Sequence, residues 1–109
     1  MANTSELLRG HTDAILLAQL AKGDSYGYQL AKAVSEATSG ALEFKEATLY
    51  SAFRRLEEAG AITSYWGEAS AGARRRYYSI TEAGKEALHE GRKQWQSVRG
   101  MLDELLGKE

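Results

Sequence analysis

The sequence predicts a mainly α-helical domain carrying one β-hairpin, an α+β fold in the order helix–helix–helix–strand–strand–helix. Three observations predict it. Apolar residues recur at helical spacing in three successive stretches of the N-terminal half. Two short runs rich in β-branched and aromatic residues follow, Ile62–Trp66 and Arg76–Ile80, separated by a glycine-containing segment. The C-terminal end then carries apolar residues at heptad spacing.

The elements follow in order. Leu7 to Leu20 carries Leu8, Ile15, Leu16 and Leu20 with few breakers, and Thr4 or Ser5 supplies a cap. Lys22-Gly23-Asp24-Ser25 reads as a helix stop, a turn and a fresh N-cap. Tyr26 to about Ala37 is a short second helix with Leu30 and Val34 on one face, ended by Ser39-Gly40. Glu46 to Ala59 has the clearest pattern. Leu49, Phe53 and Leu56 form an inward stripe, and Gly60 stands where a left-handed C-cap is needed. The strands Ile62–Trp66 and Arg76–Ile80 form a hairpin whose long loop, Gly67 to Arg75, ends in arginines. Thr81 caps the last helix, with Glu82 in its first turn.

That last helix differs from the others. Leu88, Trp95, Val98, Leu102 and Leu105 alternate at spacings of three and four, Gly91 taking the vacant place, while Glu90, Arg92, Lys93, Asp103 and Glu104 lie between them. Such a seam suits pairing with a second helix, and the small domain before it offers little core to a helix of this length. The expected partner is a second copy of the chain. Residues 1–80 form the first part and residues 81–109 the pairing helix of one structural unit.

Composition narrows the functional classes. The chain has 109 residues, 43% of them hydrophobic and 27% charged, enough for one core and an ordinary hydrophilic surface. With no cysteine, disulfides and thiolate metal sites are excluded. His11 and His89 stand alone, without carboxylates at ligand spacing, and no phosphate loop or nucleophile motif is present. No cofactor, metal or catalysis is expected. The first residues lack the basic and apolar regions of a signal peptide, and no run suits a membrane span, so a cytoplasmic protein is expected.

Net charge is −1, against indiscriminate nucleic-acid binding, yet the charge is uneven. Between Ala61 and Ile80 the fixed charges are Glu68 and the run Arg74-Arg75-Arg76. On the third helix Tyr50, Ser51 and Arg54 share an outward face with Ala47. Either feature alone is equally a solvated surface. Together, in this element order, they make a winged helix-turn-helix. Its third helix enters a DNA major groove about 12 Å wide, its hairpin reaches the backbone, and the start of the second helix offers N–H groups to a phosphate.

Several segments resemble the PadR family of bacterial regulators: Gly23-Asp24-Ser25-Tyr26-Gly27-Tyr28, Glu46-Ala47-Thr48-Leu49-Tyr50, Arg54-Arg55-Leu56-Glu57, Ser64-Tyr65-Trp66-Gly67, Arg74-Arg75-Arg76-Tyr77-Tyr78 and Thr81-Glu82-Ala83-Gly84. They run in order over nearly the whole chain, and the short C-terminal part is similar to the small subfamily. The resemblance implies a winged helix dimerised through its C-terminal helix together with the first helix, usually acting as a repressor. It places DNA contacts on Tyr26, Lys45, Thr48, Tyr50, Arg54 and the wing arginines. Ala73, often glycine in the family's wing, is a departure that stiffens the loop slightly.

Trp95 occupies the middle of the seam, where Leu, Ile or Val is usual. It is either a large packing residue or, facing its own copy across a two-fold axis, one wall of a slot for a planar aromatic molecule. The resemblance supports the second, since some small family members bind planar drugs or pigments between such tryptophans. Leu7, Ala14 and Ala18 are the expected lining. Arg99 would bring a cation that disfavours cationic ligands. The alternative function is a winged-helix module that binds another protein and senses no small molecule.

Overall fold

The computed structural model describes residues 8–68 and 74–107. The chain enters through a 3-10 turn, Arg9–His11, closed by the His11 N–H on the Leu8 carbonyl, and continues into α1, Thr12–Ala21. The first α-helix thus starts later than the apolar pattern suggests. Gly10 explains the difference, because glycine is costly inside a helix. Leu16, Leu17 and Leu20 carry α1 into the core.

After the turn, Ser25–Tyr26 forms a short strand, β1, ahead of α2, Gly27–Ala37. Ser25, expected to cap the helix, instead pairs with Tyr78 across the sheet. It is buried and donates its hydroxyl to Gln29 Oε1 at 2.8 Å. Two residues are too few to show strand alternation, so this element comes from its distant partner alone. The helix N-terminus offered to a phosphate accordingly begins at Gly27.

The third helix, α3, spans Glu46–Glu58 and buries Leu49, Ala52, Phe53 and Leu56. Gly60 adopts φ +78°, its N–H bonds Glu57 O and the Ala61 N–H bonds Leu56 O. That is a Schellman stop, and it turns the chain into the hairpin. Strands β2, Ile62–Trp66, and β3, Arg76–Ile80, pair antiparallel from Ile62↔Ile80 to Trp66↔Arg76, giving a sheet of order β1-β3-β2. Tyr78 stacks on Phe53 at 4.0 Å between centroids and ties the sheet to α3.

Thr81 caps α4, Glu82–Leu106, by accepting from the Gly84 N–H, and it donates to Gly60 O at 2.7 Å. At about 1.5 Å per residue this helix of 25 residues is about 37 Å long. Only Gly84 and Leu88 of α4 are buried. Leu88, expected in the seam between copies, belongs to the chain's own core with Leu16, Leu30 and Phe53. Beyond it, α4 carries exposed apolar side chains: Trp95, Val98, Met101, Leu102, Leu105 and Leu106.

Candidate nucleic-acid interface and apolar groove

The exposed side of α3 presents Thr48, Tyr50, Ser51 and Arg54, with Lys45 at the N-cap. Tyr50 is half exposed and packs edge-on to Phe53 at 6.3 Å, so a core ring braces it in position. Its hydroxyl lies 3.8 Å from where a Cβ on Gly27 would stand, at the start of α2. Beside Gly27, the Tyr26 ring carries the Arg75 guanidinium over its face at 4.7 Å. Tyr50, Tyr26 and Arg75 therefore make one continuous surface from α3 across α2 to the hairpin.

The sheet register divides the hairpin residues between two faces. Tyr65 stacks on Tyr77, and Tyr77 meets Tyr26 edge-on, forming an aromatic outer face. Tyr65 donates its hydroxyl to Asp24 at 2.6 Å, which raises the phenol's pKa and keeps it protonated. Gly67 makes room for Tyr77, since a Cβ there would overlap that ring. On the other face, Arg74 and Arg76 flank Trp66 at 5.2 and 5.5 Å.

The three wing arginines thus differ. Arg76 donates to Ser64 Oγ, lies 3.8 Å from Glu57, and reaches Trp66, so it ties the hairpin to α3. Among the described residues, the side chains of its neighbours Arg74 and Arg75 make aromatic contacts and no hydrogen bond or ion pair. The loop tip, including Ala73, lies outside the described residues. A further arginine, to which the sequence assigns no contact, is Arg55. It pairs with Asp13 of α1, whose hydrogen bond and charge raise its pKa still higher.

Between α1 and α4 runs an apolar groove of about 660 Å³. Ala14, Ala18 and Trp95 line it, joined by Ile15, Leu88 and Leu102. Leu7 lies outside the described residues. Arg99 does not line the groove; Arg92 does, beside Gly91, whose Cβ position is 3.2 Å from the Ala14 methyl. The two helices approach closely at Gly91, which brings its neighbour Arg92 onto the wall. His11 also lines it, its ring edge-on to Trp95 at 5.5 Å. The signal for both is the packing of α1 against α4, which spacing along one helix does not reveal.

Among the described residues no helix is long and apolar enough to cross a membrane. The profile of the transcriptional regulator PadR-like family matches residues 16–90. A Lysinibacillus sphaericus protein is 41% identical over 99 residues, 91% of each chain. A transcriptional regulator from Clostridium thermocellum has a similar structure, with TM-score 0.87 and 39% identity over 94% of this chain and all of that one. A PadR family regulator from Clostridium difficile gives TM-score 0.78 and 35% identity over 90% of this chain and all of the other. The fold is the winged helix of these regulators, which are not enzymes.

Proposed function

This chain belongs to the PadR-like family of transcriptional regulators, and from that premise we propose that it binds a pseudo-palindromic DNA site as a homodimer and represses transcription there. The observation that carries the reading is the unbroken surface from Tyr50 on α3 through Tyr26 to Arg75 on the hairpin. In this reading Lys45, Thr48, Tyr50, Ser51 and Arg54 enter the major groove, and Arg74 and Arg75 meet the backbone. Arg76 supports the hairpin and leaves its present partners to contact DNA only at the cost of that tie. The two copies pair through Trp95, Val98, Leu102 and Leu105, which a lone chain leaves exposed.

Selection of bound duplexes from a random pool tests the reading. The expected result is an inverted repeat with half-sites about one helical turn, 34 Å, apart. Recovery of no sequence, with no salt-dependent binding, would favour the protein-interaction module instead. Replacing Arg74 and Arg75 together by alanine is expected to flatten the fall of affinity with salt by about 0.9 for each phosphate left unneutralised. An unchanged slope removes the hairpin from the interface. Arg76→Ala is expected to act mainly by loosening the hairpin.

The groove between α1 and α4 is the effector site in this reading, with Trp95 as the stacking surface. None of the described residues lining it is acidic, while Arg92 and His11 stand on its wall. Neutral or anionic planar aromatics are therefore preferred over cationic ones. Effector control requires that the ligand bind one spacing of the two halves better than another. Titration with anionic and cationic planar dyes, followed by tryptophan quenching, checks the preference. Because Trp66 also fluoresces, the Trp66→Phe variant isolates the Trp95 signal. Equal or tighter binding of the cation overturns the charge argument.

A further inference from the structure

The two edges of α3 are engaged differently. Glu57 reaches Ser64 in the hairpin, whereas Arg55 reaches Asp13 at the start of α1. On this second edge lies a polar cleft of about 430 Å³, with Arg9, Thr12, Asp13, Thr48, Ser51 and Arg55 on its walls. Among the described residues two guanidinium groups and three hydroxyls face a single carboxylate, and Arg9 makes no ion pair there. Arg55 and Asp13 remain 55% and 43% exposed, so their bond is the weak, exchangeable kind found at surfaces.

We propose that this cleft binds a backbone phosphate of duplex DNA, with Arg55 exchanging Asp13 for the phosphate and Arg9 joining it. The inference rests on the DNA-binding reading above and extends it to the start of α1. A helix about 10–12 Å across fills a major groove of about 12 Å, so a sugar-phosphate strand passes along each of its edges. Arg75 and Tyr26 stand on one edge. The cleft stands on the other, beside Thr48 and Ser51, and its donors match what a phosphate accepts. Asp13 opposes the phosphate by charge. In the free chain it neutralises Arg55, and it thereby weakens binding that the rest of the surface does not support.

Binding of a labelled random-sequence duplex across a salt series tests the proposal on the full-length protein. Arg9→Gln and Arg55→Gln are each expected to weaken binding and to make the salt slope shallower by about 0.9 for each phosphate left unneutralised. Asp13→Asn is expected to tighten binding several-fold, and the gain should vanish in the Asp13→Asn/Arg55→Gln double variant. If Asp13→Asn and Arg55→Gln weaken binding alike at an unchanged slope, the pair is only a bracket between helices. An Asp13→Asn gain that persists without Arg55 reflects general charge repulsion and also overturns the proposal. Wild-type protein that binds no duplex at all defeats the DNA-binding reading itself, a result separate from these.

Discussion

Replacing Gly84 by alanine is expected to destabilise the fold by about 3 kcal/mol, at the upper end for overpacking a core site. Helix propensity alone argues the opposite, since alanine improves on glycine by up to about 1 kcal/mol inside a helix. Geometry decides it. A Cβ at Gly84 would overlap the Ala61 carbonyl oxygen and lie 2.7 Å from Ile80 Cγ1. The carbonyl belongs to the backbone between α3 and the hairpin and accepts the Thr81 N–H, so it cannot step aside. Gly100, on the same helix, has nothing within 4 Å of its Cβ position. Gly100→Ala is therefore expected to be neutral or slightly stabilising. Urea denaturation of both variants checks the pair, and a Gly84→Ala protein as stable as the parent would rule out this approach of α4.

Placing a carboxylate on the exposed stripe of α4 is the second large effect. Leu102→Asp is expected to leave the protein monomeric at micromolar concentration and to weaken DNA binding by about 10²-fold or more. Two linked half-site contacts gain roughly that factor over one. Leu102 lines the groove with Trp95 and is 43% exposed in the single chain, so it has an apolar surface to cover but little intrachain packing to lose. Two copies facing each other would bring two buried carboxylates together. Ser97→Asp, an exposed position of α4 outside the heptad stripe, serves as the control and should remain dimeric. Sedimentation measures the state directly. A Leu102→Asp protein that sediments as a dimer sinks the proposed interface.

Much of the fold is legible in the sequence wherever a signal is local and periodic. The Leu49, Phe53 and Leu56 stripe, the Gly60 stop, both hairpin strands and the Thr81 cap stand where spacing and turn chemistry put them. Each depends on neighbours within a few residues. The candidate DNA face is partly legible for the same reason, since helical spacing alone turns Tyr50, Ser51 and Arg54 outward.

Other features depend on residues far apart in the chain. Strand β1 exists because Tyr77 and Tyr78 pair with it, and two residues carry no pattern of their own. The three consecutive arginines look equivalent, yet strand alternation and Glu57 hold Arg76, while the side chains of Arg74 and Arg75 meet only aromatic rings among the described residues.

The amino-acid sequence by itself determined the order of the four main helices and the hairpin, their boundaries to within a few residues, and the apolar stripe on the last helix. Those follow from periodicity and capping, which act over single turns. Tertiary structure alone decided that Leu88 belongs to the core, that Arg92 rather than Arg99 borders the groove, and that Arg55 meets Asp13. The reason is common to all three. Which side chains meet depends on how separate elements pack together, and no local pattern along one element encodes that.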